Sequence, residues 1–361
     1  MHRHATALAL AGLSVEVLGV GVPADGPSVA SVRTWTRPTT AGQRALRALT
    51  MPWSARGRLL LTIDPDLTGP ALLRSLACRR RLVVDVHEDY AALLADRVWA
   101  RGVVGRLARL LVTVSTALAA RAQLTVVADE HVPPLRARHR LTVRNVPAAG
   151  FLPSPGPAEP KPRAVYIGDV RTSRGLWAML AAIEDAPDWT LDVVGPVADA
   201  ELAAVADWQA TSPAAARVRW HGRMPPARAW RLARGAWVGL CLLEDTPAFR
   251  AALPTKVLEY LGAGLPVLAT PLPRVAQLLA DSGAGVVVPD AAAAGRQLRS
   301  WSGAARAGGP GEGDRGGLEG YRAAAGRWSR FGRDDGGYPA LVAACRALAR
   351  RRTTGRSPAV R

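Results

Sequence analysis

Lysine is almost absent from this 361-residue chain: of 47 basic residues, two are lysine, Lys161 and Lys256, and 45 are arginine. Cysteine is scarce as well. Cys78, Cys241 and Cys345 lie far apart and form no CxxC or Cys/His spacing. That argues against a disulfide framework or a structural zinc site and fits a reducing cytoplasm. No window of about 18 apolar residues is free of charge, so no membrane-spanning helix is expected. No GxGxxG follows a predicted strand, which weakens a dinucleotide-dependent oxidoreductase reading. No basic helix is interleaved with aromatics, so nucleic acid is not an expected partner.

What is present is ample apolar material, 49% of the residues, in a chain whose length suits two α/β domains. The net charge of +18 is unevenly placed. Residues 1–150 hold 20 arginines against 10 acids, residues 151–300 hold 15 basic residues against 14 acids, and the tail from 301 holds 12 against 5. Two readings stand: a surface facing something anionic, such as phospholipid or a lipid-linked phosphate, or an arginine-rich composition spread over solvated faces. The first residues imitate a signal peptide, with Met1-His2-Arg3-His4, an Ala/Leu run and Val22-Pro23-Ala24. Against secretion, Glu16 interrupts the run, which splits into a helical piece and an alternating piece. The expected location is the cytoplasm, at the inner face of the cell membrane if the basic surfaces meet lipid.

Short apolar runs alternate with helical stretches, the pattern of parallel sheets covered on both faces. Strands are predicted at 15–20, 58–63, 82–85, 124–127 and 141–143, then at 164–167, 190–194, 218–221, 238–243, 266–269 and 285–288. Helices are predicted at 176–183, 227–234, 254–261 and 338–351. Residues 153–162, PSPGPAEPKP, carry five prolines in ten positions and read as a linker. The expected organisation is an N-terminal Rossmann-like domain (1–152), that linker, a second Rossmann-like domain (163–302), a Gly-rich loop (303–336) and a helix (337–361) packing back on the first domain. The first domain opens inside a helix, so its first strand is expected to be missing, through a late start codon or truncation.

The segment 253–270, LPTKVLEYLGAGLPVLAT, carries the most chemistry. Pro254 suits a first helical position, where its missing N–H costs nothing, and Gly264 and Pro266 stop the helix. Lys256 and Glu259, three apart, share a face. A helix N-terminus with an added ammonium suits a diphosphate, and a carboxylate one turn on can accept bonds from ribose hydroxyls. The alternative is a surface salt bridge on an ordinary crossover helix. The scarcity of lysine favours the functional reading, because a compact, flexible ammonium is placed where arginine is otherwise the rule.

This segment resembles the Pro-x-Lys-x-x-Glu-Tyr stretch of the retaining GT-B glycosyltransferases, the large group 1 superfamily. Tyr166-Ile167-Gly168 with Arg174-Gly175-Leu176 resembles the Gly-rich turn of that family's donor domain. Val194-Gly195-Pro196, His221-Gly222-Arg223 and Gly283-Ala284-Gly285 fall where it has similar elements. In the first half, 64–67 (DPDL) and 85–90 (DVHEDY) resemble further family runs, as Asn145-Val146-Pro147 resembles the turn into the linker.

The resemblance implies two Rossmann-like domains with an inter-domain cleft and transfer of a hexose-type sugar from a nucleotide-diphosphate donor, with retention, to an unidentified glycan, lipid-linked or metabolite acceptor. It implies no cofactor and no metal, the donor being a co-substrate. Pro254, Thr255, Lys256 and Glu259 would bind the donor. Gly168 would let backbone approach phosphate, Arg174 would neutralise the departing diphosphate, and Arg171 would compensate for Asp169 at a position the family often fills with a basic residue. His87, at the end of a strand, matches a histidine that reaches the donor sugar across the cleft. Glu88 and Asp89 read as helix-capping acids. Ala251 stands where many relatives carry a first glutamate, a departure shared with the Pro-x-Lys subgroup. The rivals are a catalytically inactive homologue acting as a partner or scaffold, and a GT-B sugar-nucleotide epimerase, which should show more cleft carboxylates.

Overall fold

The computed structural model describes residues 2–95, 100, 102–144, 146–147, 152–306, 317–331 and 336–350. The chain divides into two compact units, residues 1–145 with 335–361, and residues 146–334.

The first unit begins with helix α1 (His2–Leu10), strand β1 (Glu16–Val20), strand β2 (Ser31–Trp35) and helix α2 (Ala41–Ser54). Strand β3 (Leu59–Thr62), helix α3 (Pro65–Ala77), strand β4 (Arg81–Val86) and helix α4 (Tyr90–Ala95) follow. Helix α5 (Gly102–Ala119) and strands β5 (Leu124–Val127) and β6 (Arg140–Thr142) complete this part. Four strands form a parallel sheet in the order β3-β4-β5-β6, while β1 and β2 pair in parallel as a separate ribbon. Strands β4 and β5 are near-continuous apolar runs because helices cover both faces. Strand β2 was not anticipated: its sequence SVRTW is half-exposed and three of its five residues are polar.

The second unit holds β7 (Arg163–Ile167), α6 (Leu176–Asp185), β8 (Thr190–Val194), α7 (Leu202–Thr211), β9 (Val218–Gly222) and α8 (Pro226–Leu232). Then come β10 (Val238–Cys241), α9 (Pro247–Ala251), α10 (Thr255–Gly262), β11 (Val267–Ala269), α11 (Pro273–Ser282) and β12 (Gly285–Val287). Helices α12 (Ala291–Arg306) and α13 (Leu318–Phe331) close it. All six strands run parallel in the order β12-β11-β10-β7-β8-β9. This doubly wound order reverses direction between β7 and β10, and in open α/β sheets the crevice beyond the carboxyl ends at such a reversal is where ligands bind. Fully buried Trp189, Tyr166 and Leu180 fill one side of the sheet and Tyr260, Leu261 and Val257 the other.

Returning to the first unit, α14 (Tyr338–Arg350) buries Leu341 and Cys345 among Leu8, Val83, Leu124 and Val126. Residues 351–361 lie outside the described residues, as do the terminal Arg351 of the predicted last helix and Asn145.

Three sequence readings need correction. The compact units divide at residue 145/146, not after 152, because Leu152 is buried in the second unit's core. The proline-rich stretch is fastened to that unit, not a free spacer. Prolines remove donors but leave acceptors, so Arg322 donates to the Gly156 carbonyl (3.1 Å) and the Trp237 indole to the Glu159 carbonyl (2.7 Å). Within 303–336, read as a loop, α13 is a helix whose Ala324 and Ala325 are buried beside α10 and α11. Its flanking glycines masked its periodicity.

Helix α5 is long and apolar enough, on length and composition, to cross a bilayer; Arg106 and Arg109 within it are why no charge-free window reveals it. Its Gly105 and Ala119 are buried and Ser115 donates to the Pro65 carbonyl at 2.9 Å, so it is built into the helix layer of this unit.

Candidate active site

The donor-site residues read from the sequence converge on the reversal point of the second sheet. Strand β7 ends at Ile167 and the chain turns at Gly168, where φ is +147°. Gly195, ending the neighbouring strand β8 at φ +143°, packs against it so closely that a Cβ would meet the Gly168 carbonyl oxygen at 1.8 Å. Gly175 (φ +85°) closes the loop before α6, and a Cβ there would meet the Leu242 carbonyl at 2.0 Å, just beyond β10. These glycines bring backbone from three strand ends together with no side chain between.

Helix α10 enters the same point. Pro254 caps it and Thr255 is its first residue, one position later than the sequence reading placed the proline. The helix is anchored by Tyr260, whose hydroxyl accepts from the Ile167 N–H (3.0 Å) and donates to the Val165 carbonyl (3.3 Å). Gly239 makes room: a Cβ there would meet the Tyr260 ring at 2.5 Å. One turn earlier on the same face, Lys256 is held against the end of β7. It is 6% exposed, its Nζ lies 3.7 Å from the centroid of the Tyr166 ring, and a Cβ on Gly168 would stand 3.4 Å from that Nζ. The Tyr166 hydroxyl donates to the Asp169 carbonyl at 2.7 Å, fixing the ring beneath the ammonium.

The Lys256 ammonium has no hydrogen-bond partner. Burial is the main cause of its pKa falling to about 7; the Arg174 charge acts the same way, while Cys241 and Glu259 pull upward. Cys241 is buried too, and desolvation pushes its thiol up to about 11. An unpartnered buried lysine costs stability, and such costs persist where a ligand is expected to compensate them.

Arg174 ends the short turn 172–174 and its guanidinium lies 6.0 Å from the Phe249 ring. Arg171 pairs with Asp169, so its charge is matched locally. Glu259 faces out one turn along from Lys256, half-buried. Ala251 ends α9 and is exposed. Among the described residues, no three His, Cys, Asp or Glu side chains gather as a metal-holding group.

In the first unit, His87 directly follows β4 at the carboxyl edge of the sheet. Its Nε2 lies 3.2 Å from Asp85 Oδ2, which is also 3.0 Å from Nε2 of His4 on α1. The His4 ring packs edge-on to those of His87 and Tyr338. Desolvation lowers the His87 pKa, outweighing the upward pull of Asp85 and favouring the neutral imidazole. Asp89 caps α4, accepting from the N–H groups of Ala91 and Ala92 at 3.0 Å.

Sequence reasoning gave no role to Tyr166, Gly195 or Tyr260 in this arrangement, nor to His4 and Asp85 around His87. The glycine closing β8 and the tyrosine four residues after Lys256 were visible signals; the pairing of His4 with Asp85 joins residues 81 apart and left none.

Residues 161–301, covering the whole of this second-unit site, match the family model described as glycosyl transferases group 1. No curated protein matches the chain by sequence. Among solved structures, sucrose-phosphate synthase from Thermosynechococcus elongatus is similar at 15% identity, a TM-score of 0.66, and coverage of 96% of this chain and 89% of that one. WaaG, a glycosyltransferase involved in lipopolysaccharide biosynthesis, is similar at 17% identity and TM-score 0.62, covering 95% and 93%. Anabaena Alr3699/HepE in complex with UDP is similar at 12% identity and TM-score 0.62, covering 93% and 100%. The fold is therefore GT-B, two Rossmann-like α/β units.

Proposed function

We propose that this chain is a glycosyltransferase that takes a sugar from a nucleoside-diphosphate donor held by the second unit. The observation that carries the reading is the unpartnered, buried Lys256 ammonium at the end of β7, within the segment that matches the group 1 model. A diphosphate at the N-terminus of α10 would supply the missing counter-charge, drawing on the helix dipole and on Lys256 together. Gly168, beside Lys256, would let phosphate approach the backbone, while Gly175 and Gly195 let the neighbouring strand ends pack around it. Arg174 is assigned the charge that develops on the leaving diphosphate, and Arg171 a lesser part because Asp169 already neutralises it. Glu259 is assigned the ribose hydroxyls.

Among the described residues, no side chain of the second unit's site is a poised nucleophile. Cys241 is buried and protonated, and Lys256 would be charged by the ligand. A retaining transfer in which the leaving phosphate accepts the acceptor proton is compatible with this and is the mechanism proposed. Pro254 and Thr255 bring the N-terminus of α10 to the phosphates, and His87 is assigned to sugar transfer instead of nucleotide binding. The cytoplasm is the proposed location, and no metal or other cofactor is assigned a part.

The test is a thermal-shift screen of nucleoside diphosphates, followed by turnover of the matching nucleotide sugar. UDP is the first to try, because HepE is described in complex with it. At a hundredfold excess over Kd a bound nucleotide should stabilise the fold by about 2.7 kcal/mol. No shift with any nucleoside diphosphate would remove the reading. Binding without consumption of any nucleotide sugar would favour the inactive homologue, for which Ala251 is the motivating residue.

A further inference from the structure

Large apolar side chains left in solvent are distributed unevenly. Among the described residues, sixteen of seventeen belong to the first unit, and eleven of them lie on α2, α3 and α5. Scattered single exposures are ordinary, but concentration on neighbouring helices marks an interaction surface. Helices α2 and α5 both pack on α3, which itself lies on β3 and β4, so the three form one layer over the sheet.

Helix α5 is turned inside out for a protein in water. Val103, Leu107, Leu110 and Val114 recur at helical spacing along one face, with Leu111 beside them, and these side chains are 46–69% exposed. The buried residues of α5 are the small ones, Gly105 and Ala119, and Leu118 and Ser115 are the side chains set against α3. Exposed Arg106 borders the apolar stripe, and α5 contains no acidic residue. On α2, Leu46, Leu49 and Trp53 form a second exposed stripe with Arg47 within it, while Arg44 is paired with Asp66 of α3 at 2.7 Å. Residues 1–150 carry twice as many arginines as acids.

We infer that this helix layer of the first unit docks on an anionic phospholipid surface, with α5 lying in the plane of the headgroups. An apolar stripe edged by cations and free of acids is the combination an interfacial helix needs. The leucines enter the acyl boundary and the arginines meet lipid phosphate. A bilayer-spanning role does not fit, because the small-residue face of α5 is occupied by its own unit. A protein partner of ordinary composition would leave the arginine border without a counterpart. The inference is independent of the donor chemistry and assigns the anionic partner to a defined face.

The test is co-sedimentation of the full chain with phosphatidylcholine vesicles, with and without phosphatidylglycerol. The wild type should partition onto the anionic vesicles and lose binding as salt rises. Leu107→Glu/Leu111→Glu should lower the partition coefficient by at least about tenfold, since two insertions are lost and two anions gained, with circular dichroism and melting temperature unchanged. The pair Leu46→Glu/Leu49→Glu gives the same readout on a separate helix. Arg106→Glu should weaken binding several-fold, and only where anionic lipid is present. Wild-type protein that stays in the supernatant, or Glu pairs that bind like the wild type, would overturn the inference. So would a wild-type dimer that the α5 pair converts to monomer, which would assign the face to a second copy of the chain.

Discussion

The two units share an architecture and differ in where they leave energy unspent. In the second unit the central strands β7, β8, β10 and β11 are buried almost throughout, glycines let strand ends touch, and Leu202 is the sole large hydrophobic side chain exposed among the described residues. Its unresolved cost is polar and internal, the Lys256 ammonium. The first unit adds a cost that is apolar and external, spread over α2, α3 and α5, while β1 and β2 are only half-covered. A buried charge without a partner calls for a small anion; exposed leucines edged by arginines call for a surface. On the two proposals made above, one fold keeps nucleotide chemistry and location in separate units.

The largest expected effect comes from closing the glycine contact in the second unit. Gly195→Ala forces a Cβ onto the Gly168 carbonyl at a φ that L residues rarely adopt. It should cost about 3 kcal/mol or more and abolish nucleotide binding, with limited proteolysis mapping the damage to residues 146–334. Damage spread equally over both units would break the contrast between them.

Lys256→Met separates binding from stability. Nucleotide affinity should fall by about a hundredfold, since a desolvated charged contact is lost. The fold should become more stable, because the folded pKa of about 7 lies below the ordinary lysine value of 10.5. The unfolded chain then binds the extra proton between those values, so wild-type stability rises with pH across that window and is lowest below it. The melting advantage of the variant should be greatest at and below pH 7 and vanish only above pH 10.5, as differential scanning calorimetry can check.

His87→Ala should leave affinity for a bare nucleoside diphosphate unchanged and lower sugar transfer by about tenfold or more, as expected for a lost hydrogen bond in the reaction. Equal losses in titration and turnover would make His87 structural. The smallest effect is expected for Glu259→Ala, about a fivefold loss of nucleotide affinity with the melting temperature unchanged. Unchanged affinity would remove its ribose assignment.

Much of this was legible in the chain because parallel strands buried on both faces write themselves as short apolar runs. Thr190–Val194 and Leu124–Val127 were placed to the residue. Strand β2 was not, because SVRTW lacks such a run, and α13 was hidden between glycine-rich flanks. Lys256 and Glu259 stood out from composition and spacing. That the lysine would be buried over Tyr166 with no hydrogen-bond partner did not, since it depends on Ile167, Gly239 and Tyr260 meeting across 93 residues of sequence. The stripe on α5 was also readable as amphipathic, but periodicity gives a face and not its direction. Only the packing of Gly105 and Ala119 inward shows that the leucines point to solvent.

The most direct measurement is calorimetric titration of UDP and the other nucleoside diphosphates into the full chain at pH 8, in buffers of different ionisation enthalpy. With a pKa of about 7, the Lys256 side chain is mostly neutral there, and a diphosphate beside it should restore its proton. The account predicts one bound nucleotide with net proton uptake approaching one, and loss of that uptake together with most of the affinity in Lys256→Met. A nucleotide that binds with the same affinity and the same proton balance in both proteins would contradict it.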